Sequence, residues 1–273
     1  MYSLSGKIVL ITGGAVGIGA AIAEEVLKEG AKHVRILDVD EQAGSHLEND
    51  LNNKYGTNKA TFVKCDVSND KELFGAFGET KEEHGSLDVV FNNAGVGNES
   101  SYAAIRKAID INLVAVVNGT LKAIELMDKT KGGRGGAIIN TASHAALYPI
   151  CSPLPVYSAT KTALLQFNEC LGMEPFHTNT GVRILAICIG TTDTSIMGKL
   201  SSFHKSADNE LQDVLKNHIR NIQSAESAAR GAIEAFKKGK SATVWLIHKS
   251  LPAIDISEDR AMCHSLMAKL IEK

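Results

Sequence analysis

The chain has 273 residues, of which 44 % are hydrophobic and 22 % charged, and its formal net charge is -2. This length suits one large α/β domain, and the hydrophobic share is enough for a substantial core. The near-neutral charge, with lysine and arginine scattered along the chain, gives no reason to expect nucleic acid or an anionic membrane as a partner. Five cysteines without a Cys-x-x-Cys pair favour reduced thiols in a cytoplasmic protein over a disulfide framework.

Short apolar segments alternate along the chain with longer segments of helical periodicity. The predicted strands, several of them rich in valine and isoleucine, cover residues 7–12, 33–38, 61–66, 87–92, 136–142, 182–189 and 243–247. The predicted helices include residues 20–30, 71–85, 105–129, 155–173 and 224–239. The alternation predicts a parallel sheet with helices on both faces, in a single domain over residues 1–273.

The N-terminal apolar segment ends in Gly13-Gly14 and is predicted to be the first strand rather than a signal peptide. No apolar segment approaches the ~20 residues that a membrane span needs, so no membrane span is expected. No ligand spacing such as H-E-x-x-H is present, and no metal is indicated.

A glycine-rich turn, residues 12–19, joins the first predicted strand to the first predicted helix. Glycines let the chain turn tightly and let its backbone approach a pyrophosphate, while the helix N-terminus offers free N–H groups and a partial positive charge. The spacing T-G-x-x-x-G-x-G differs from the G-x-G-x-x-G of the standard fingerprint. The turn predicts a dinucleotide site, and the alternative is a glycine turn that only permits close packing.

Asp38 ends the second predicted strand, about 20 residues after the glycines. A carboxylate at this position can accept hydrogen bonds from both hydroxyls of an adenosine ribose, and it repels a 2′-phosphate. Arg35 and Lys32 lie upstream and do not occupy the strand end. The cofactor is therefore predicted to be NAD rather than NADP. The alternative role for Asp38 is to cap the helix that follows.

Two further strand ends carry polar residues toward the same predicted crevice. Asp66, after the third strand, could accept from an adenine amino group or cap a helix that begins near Ser68. The sequence Asn92-Asn93-Ala94-Gly95 follows the fourth strand, where small and amide side chains can pass close to an adenosine and hold the strand ends together. By itself the same sequence would be an ordinary turn.

Tyr157 and Lys161 are four residues apart at the start of a predicted helix, so their side chains share one face. A phenol with the ordinary pKa of about 10 is a poor base near neutral pH. A nearby ammonium favours the phenolate and lowers that pKa, as would a positively charged nicotinamide ring. The pair predicts a general base for alcohol oxidation, although Tyr-x-x-x-Lys alone is a common helical pattern.

Two polar residues extend this predicted catalytic group. Ser143 follows the fifth strand, and its hydroxyl can donate to a substrate oxygen. Asn112 lies inside a predicted helix, where its amide competes with backbone hydrogen bonds. A local distortion that holds a water near Lys161 would explain Asn112 and provide a proton path, and the alternative is a solvated helix position. His144 follows Ser143 directly and is expected to point away from it, in a structural or substrate-wall role.

Residues 190–223 interrupt the alternation of strands and helices. They are polar, rich in serine and threonine, and follow the sixth strand. Loops at the carboxyl ends of the strands form the ligand crevice of a doubly wound sheet, so this segment is the candidate substrate lid. The alternative is an ordinary surface excursion. Plausible walls of the substrate pocket are Leu147, Tyr148, Ile150, Leu154, Ile196 and Met197.

Taken together and in this order, TGGAVGIG, NNAG, Asn112, Ser143 and YSATK resemble the short-chain dehydrogenase/reductase family over nearly the whole chain. The resemblance implies an α/β, Rossmann-type, doubly wound fold with a seven-stranded sheet. It implies a catalytic tetrad at Asn112, Ser143, Tyr157 and Lys161. It also implies a homodimer or homotetramer, formed through the helices near residues 103–129 and 156–173.

The predicted cofactor site collects the strand ends, the glycine turn and the start of the lid. Lys161 is expected on the nicotinamide ribose and Thr194 on the carboxamide. The predicted cofactor-binding residues are Thr12, Gly13, Gly17, Ile18, Gly19, Asp38, Val39, Asp66, Val67, Asn93, Ala94, Gly95, Tyr157, Lys161, Gly190 and Thr194.

Within that family, NNAGVGNES, GGRGGAIIN and GVRILAICIG are similar to NAD-dependent 15-hydroxyprostaglandin dehydrogenases, and insect alcohol dehydrogenase-like and photoreceptor retinol dehydrogenase-like proteins are similar as well. The similarity implies oxidation of a secondary or allylic alcohol on a lipid-like substrate of prostaglandin, retinoid, isoprenoid or steroid type. Ser143, Leu154 and Tyr157 are expected to face it.

Two positions depart from the family pattern. The usual Pro-Gly after the sixth strand is Ile189-Gly190 here, which is expected to loosen the start of the lid. Leu154 replaces a glutamine of the prostaglandin dehydrogenases, which favours a more apolar alcohol.

Two other functions stay open from the sequence. A non-catalytic dinucleotide-binding sensor could use the same fold, since a fold does not fix a function, but it has no need of Ser143, Tyr157 and Lys161. An NADP-dependent carbonyl reductase is the other, and Asp38 opposes it.

Overall fold

An eight-stranded sheet forms the centre of the computed structural model, which describes residues 1–149, 152–218 and 222–272 without the side chains of residues 212 and 214–218. Seven strands pair in parallel, which confirms the predicted fold class. They are β1 (Ile8–Thr12), β2 (His33–Asp38), β3 (Ala60–Lys64), β4 (Val89–Asn92), β5 (Gly136–Ser143), β6 (Val182–Ile189) and β7 (Val244–Ile247). The two-residue β8 (Ile254–Asp255), absent from the prediction, pairs antiparallel with β7.

Ten α-helices accompany the sheet within the described part of the chain. They are α1 (Gly17–Lys28), α2 (Glu41–Tyr55), α3 (Asp70–His84), α4 (Tyr102–Ile109), α5 (Ala115–Met127), α6 (Pro155–Gly172), α7 (Phe176–Thr180), α8 (Lys205–His218), α9 (Ala225–Lys238) and α10 (Ser257–Ile271). The predicted helix over 105–129 is therefore interrupted between α4 and α5, by a π-helical segment at Asp110–Val114.

Helices cover both faces of the sheet because successive side chains of each strand point to opposite sides. In β1, Val9 and Ile11 join the apolar cluster that contains α1 and α9, whereas Leu10 joins the cluster that contains α3 and α5. Both clusters are buried, so the central strands are apolar on both faces, as their continuous valine and isoleucine content indicated.

The strand order β3-β2-β1-β4-β5-β6-β7-β8 reverses direction between β1 and β4. In an open α/β sheet, the connections leaving two such neighbouring strands go to opposite faces and leave a crevice at the carboxyl ends. The ends of β1 and β4 are Thr12 and Asn92. The glycine turn and the NNAG segment, which follow these two residues, therefore lie at the crevice.

A buried histidine on β2 packs against a second histidine. His33 is 2 % exposed, its Nδ1 donates to the carbonyl of Asn58 at 2.8 Å, and its ring lies 4.0 Å from that of His84. Burial lowers the pKa of His33 to about 4. The pair Arg35–Glu83 adjoins these rings, and burial also lowers the pKa of His84.

Acid should destabilise the protein through His33. The unfolded chain takes up the proton on this histidine near pH 6.5, and the folded chain takes it up only near pH 4. The contribution of His33 to the free energy of unfolding is therefore fully present above about pH 6.5 and is lost as the pH falls toward 4. Between about pH 7.5 and pH 5 the expected loss from this group is about 2 kcal/mol. Urea unfolding of the wild type and of His33→Gln at both pH values measures it. The exposed His46→Gln serves as control, and equal pH slopes for wild type and His33→Gln would contradict the assignment.

Candidate active site

The glycine turn packs against the end of β4 with almost no free space. Gly13 has φ 60°, and a Cβ there would lie 2.7 Å from the Cα of Ala94. A Cβ on Gly19 would lie 2.0 Å from the carbonyl oxygen of Gly13. The turn is fastened to the NNAG segment as well, since the amides of Asn93 and Ala94 donate to Thr12 Oγ1 at 3.0 and 3.2 Å. Only glycine permits this approach of the two strand ends.

The start of α1 lacks a side-chain cap. Its N-cap residue, Val16, makes no side-chain hydrogen bond to the helix, and its first turn holds no acidic residue. Gly17, the first helical residue, has φ 57°. The first N–H groups of α1 are thus left for a bound anion, which is the arrangement that suits the pyrophosphate of a dinucleotide.

Asp38 binds the glycine turn and does not cap α2. Its Oδ2 accepts from the amide of Ala15 at 3.0 Å, and its Oδ1 accepts from the amide of Asp40 at 3.1 Å. The cap of α2 is Asp40, whose carboxylate accepts from the amide of Ala43. The alternative of a capping role for Asp38 is therefore wrong. The half-buried carboxylate stands at the crevice end of β2, next to the exposed Val39.

Asp66 does not cap a helix either. The helix α3 begins at Asp70 with Asn69 as its cap, later than the predicted start near Ser68. Asp66 Oδ1 instead accepts from the amide and the hydroxyl of Ser68, at 3.0 and 2.6 Å, and Lys107 lies 3.5 Å away. These hydrogen bonds lower the pKa of Asp66. Its partly exposed carboxylate is held in place, beside the buried Val67, at the same end of the sheet.

Asn112 lies in the π-helical segment between α4 and α5 and is fully buried. Its Oδ1 accepts from the amide of Val96, and its Nδ2 donates to the carbonyl of Val96, both at 2.8 Å. The predicted local distortion is present, and the alternative of a solvated helix position is wrong. A Cβ on Gly95 would lie 3.4 Å from Asn112 Oδ1 and 3.5 Å from Lys161 Nζ, so these two side chains meet at Gly95.

Lys161 is a buried cation beside a phenol. Its Nζ donates to the carbonyl of Thr141 at 2.8 Å and lies 5.9 Å from the ring centroid of Tyr157. The side chain is 3 % exposed, and burial lowers the pKa of Lys161 to about 8. The two residues share the cavity face of α6, as their spacing predicted. A cation beside a phenol favours the ionised form of the phenol in general.

Ser143 and His144 both face the cavity that contains Tyr157 and Lys161. The expectation that they point in opposite directions is wrong, because the strand ends at Ser143 and His144 begins a 3₁₀ turn. Ser143 Oγ accepts from the amide of Ala145 at 3.1 Å, which leaves its hydroxyl hydrogen for another acceptor. His144 Nδ1 donates to the carbonyl of Ile189 at 3.2 Å. The expected wall role of His144 agrees with this placement.

The cavity has a volume of about 190 Å³ and an apolar outer wall. Leu154, Ile196 and Met197 line it as predicted, whereas Leu147 and Tyr148 are not among its described lining residues, and Ile150 lies outside the described residues. Leu200 and Leu211 line it too, and neither was predicted from the sequence. Their positions depend on how the 190–223 segment folds back, which no local pattern reveals.

The two ends of the candidate lid are joined at its base. The amide of Asp193 donates to the carbonyl of Gln223 at 2.9 Å, and the amide of Gln223 donates to the carbonyl of Thr191 at 3.1 Å. At the start, the amide of Gly190 donates to the carbonyl of Ile247 at 2.8 Å. The backbone at Ile189-Gly190 is therefore hydrogen-bonded to β7, and the expected loosening of the lid start stays a prediction. Residues 219–221 of the candidate lid lie outside the described residues.

Comparison with known proteins decides the family. The short chain dehydrogenase family model matches residues 7–205, which include the glycine turn, NNAG, Asn112, Ser143, Tyr157 and Lys161. The chain belongs to the short-chain dehydrogenase family. It is an oxidoreductase of that family.

Relatives of this short-chain dehydrogenase include 15-hydroxyprostaglandin dehydrogenases and alcohol dehydrogenases. The 15-hydroxyprostaglandin dehydrogenase (NAD(+)) of Macaca fascicularis is 37 % identical over 219 residues, 80 % of this chain and 79 % of the relative. Alcohol dehydrogenase 1 of Ceratitis capitata is 30 % identical over 201 residues, 73 % of this chain and 76 % of the relative. A solved short chain dehydrogenase/reductase from Burkholderia phymatum, in complex with NAD, matches at TM-score 0.76 and 25 % identity and covers 90 % of each chain.

Neither a metal centre nor a membrane helix occurs in the part of this short-chain dehydrogenase that the structure describes. Over residues 1–149, 152–218 and 222–272, histidine, cysteine, aspartate and glutamate do not gather in threes at a metal-binding distance. No described helix combines the length and apolar character needed to cross a bilayer.

Proposed function

We propose that this enzyme oxidises a secondary or allylic alcohol on a lipid-like molecule, with NAD as cofactor and Tyr157 as general base. One observation carries the proposal. Ser143, Tyr157 and Lys161 line the same cavity, which opens beside the start of α1 and has a largely apolar outer wall. Such a cavity can hold an apolar chain while it presents one hydroxyl group to the phenol.

The proposed cofactor site fits a dinucleotide. The uncapped start of α1 suits the pyrophosphate, and Asp38 at the end of β2 suits an adenosine ribose with two free hydroxyls. The residues proposed to hold the dinucleotide are the cofactor-binding set predicted from the sequence, of which Thr12 is the first and Thr194 the last. Thr194 packs against the turn, since a Cβ on Gly17 would lie 3.1 Å from its Cγ2. When bound there, NAD would supply the hydride acceptor for the carbinol carbon.

The proposed proton chemistry belongs to the chain itself. Tyr157, as phenolate, takes the proton of the substrate hydroxyl, and Ser143 donates its free hydroxyl hydrogen to the same substrate oxygen. Lys161, whose pKa of about 8 leaves it protonated near neutral pH, stabilises the phenolate across a short distance. Asn112 fixes the backbone at Val96 and keeps Gly95 against Lys161 Nζ.

The proposed substrate is more apolar than a prostaglandin. Leu154 is 2 % exposed and lines the cavity where a glutamine would offer a polar contact. Leu200 and Leu211, from the proposed lid, add two more apolar side chains. An apolar wall stabilises an isoprenoid, retinoid or steroid chain by removing it from water, but gives a buried polar group no partner.

Initial rates of NADH formation test the proposal across farnesol, retinol, a hydroxysteroid, a prostaglandin and a short secondary alcohol. We expect the highest kcat/KM for an isoprenoid, retinoid or steroid alcohol. Absence of NADH formation with every alcohol, in a protein that still binds NADH, would contradict the enzymatic proposal. A clear preference for the prostaglandin would contradict only the proposal that Leu154 favours a more apolar alcohol.

Asp38 should set the choice between NAD and NADP. Asp38→Ala removes the carboxylate that repels a 2′-phosphate, so the ratio of kcat/KM for NAD to that for NADP is expected to fall by about tenfold or more. The same change frees the amide of Ala15, and the KM for NAD should rise. The control is Asp40→Ala, which removes a neighbouring carboxylate that caps α2. An unchanged ratio of kcat/KM for NAD to that for NADP in Asp38→Ala would show that Asp38 does not set the cofactor preference.

A homodimer or homotetramer through α4, α5 and α6 is also proposed. Large apolar side chains are exposed near these helices: Tyr102 at 93 %, Leu121 at 48 % and Val114 at 42 %. An assembly through these helices would cover side chains of this kind.

A further inference from the structure

Glu99 is a buried carboxylate for which the proposed mechanism has no role. It is 0 % exposed, and it follows the NNAG segment in a loop with no other assigned function. A buried carboxylate is costly unless its oxygens are hydrogen-bonded. Its two oxygens are occupied by the start of α6: Oε1 accepts from the amide of Tyr157 at 2.6 Å, and Oε2 accepts from the amide of Val156 at 3.2 Å.

Within the described residues, the cap residue of α6 gives the helix start no side-chain hydrogen bond. The N-cap residue is Leu154, whose side chain cannot accept a hydrogen bond, and Pro155 has no N–H to donate. The first intrahelical bond runs from the amide of Ser158 to the carbonyl of Leu154 at 3.1 Å. The amides of Val156 and Tyr157 are thus the two orphan donors of this helix, and Glu99 accepts from both.

The backbone of Glu99 is tied to the proposed lid. Its amide donates to the carbonyl of Ser201 at 2.7 Å, and the amide of Ser201 donates to the carbonyl of Gly97 at 3.2 Å. Leu200, beside this contact, lines the cavity. The main chain of Glu99 is therefore hydrogen-bonded to the proposed lid, and its carboxylate is hydrogen-bonded to the helix that carries the proposed base.

We propose that Glu99 is a positioning residue for Tyr157: it fixes the first turn of α6 and places one negative charge beneath the phenol. The proposal rests on the role of Tyr157 as base. The carboxylate accepts a hydrogen bond from the main-chain amide of Tyr157, the residue that carries the phenol. Among the described residues that line the cavity, the titratable neighbours of Tyr157 are Lys161 and His144. Glu99 opposes the effect of Lys161 on the phenol.

Two variants separate charge from geometry. Glu99→Gln keeps the shape but loses the charge and turns an NH₂ group toward one of the two amides. We expect kcat to fall about tenfold, and the acid limb of the pH profile of kcat/KM to move about one pH unit lower. Glu99→Asp keeps the charge but is too short to reach both amides. We expect a similar fall in kcat with the acid limb in place.

Asp88→Asn is the matched control. Asp88 is also a buried carboxylate, 8 % exposed, and its Oδ2 accepts from the amide of Ile8 at 2.8 Å at the opposite end of the sheet. We expect a lower melting temperature with kcat within about twofold of wild type and no shift of the acid limb. An unmoved acid limb in Glu99→Gln, as in Asp88→Asn, would overturn the proposal.

An ultraviolet titration makes the test independent of turnover. The phenolate of Tyr157 is followed by difference absorption in the unliganded protein, with Tyr157→Phe as the blank. Its midpoint should fall by about one pH unit in Glu99→Gln and stay in place in Glu99→Asp. If no alcohol is turned over, this titration still decides the role of Glu99. If Glu99→Gln does not fold, a shifted midpoint in Glu99→Asp overturns the proposal, and an unshifted one with lowered kcat supports it.

Discussion

Tyr157→Phe is expected to lower kcat by about a thousandfold while the protein still binds NADH. The substitution removes one oxygen atom, the proposed acceptor of the substrate proton, and leaves the ring in place above Lys161 Nζ, 5.9 Å from its centroid. General base catalysis contributes between about a hundredfold and ten-thousandfold to an enzymatic rate, which sets the expected loss. Steady-state NADH formation measures the change in kcat, and the fluorescence of bound NADH measures the affinity.

Tyr148→Phe is the control for that experiment. Tyr148 is 61 % exposed and, although close in sequence, is not among the described residues that line the cavity. Removing its hydroxyl should change kcat less than twofold or so. A Tyr157→Phe variant that kept more than about a tenth of wild-type activity would place the base elsewhere.

Lys161→Met should lower kcat by at least about a hundredfold without making the protein less stable. The ammonium favours the phenolate, so its loss returns the pKa of Tyr157 toward its ordinary value of about 10. A plot of kcat/KM against pH should accordingly keep rising to higher pH than in the wild type. The loss of rate should be smaller at alkaline pH, where more of the phenol ionises.

The stability of Lys161→Met follows from the buried amine. Because the pKa of Lys161 is about 8 in the folded state and 10.5 ordinarily, keeping it protonated costs roughly 3 kcal/mol below about pH 8, and this cost fades as the pH rises toward 10.5. Methionine removes that cost but leaves the carbonyl of Thr141 without its donor, a loss of about 1–3 kcal/mol. At pH 7 the free energy of unfolding should stay the same or rise by up to about 2 kcal/mol.

Lys81→Met is the matched control for Lys161→Met. Lys81 also donates its ammonium to a main-chain carbonyl, that of Leu126 at 3.1 Å, but on α3 and away from the cavity. Its replacement should leave kcat unchanged. A Lys161→Met variant with normal activity, or one that unfolds at much lower urea concentration than wild type, would contradict the role or the energetics proposed here.

Local sequence patterns predicted the elements that bury a face and the residues that sit at strand ends. All seven parallel strands were predicted because each is a short apolar run, and burial on both faces requires that composition. A helix with little buried surface was missed: of the described residues of α10 none is buried. A helix that buries no apolar face has no need of apolar residues at helical spacing, so its sequence shows no amphipathic pattern.

The sequence by itself determined the chemistry of the site: a glycine turn, a strand-end carboxylate, and a tyrosine and lysine that share a helix face. Only the tertiary structure decided how these groups are supported. It turned His144 into the cavity, placed Leu200 and Leu211 in its wall, and brought Glu99 to the start of α6. Glu99 and Tyr157 are 58 residues apart, so their contact depends on how distant segments pack. Spacing along a helix or strand fixes near neighbours, whereas contacts between elements follow from the fold of the whole chain.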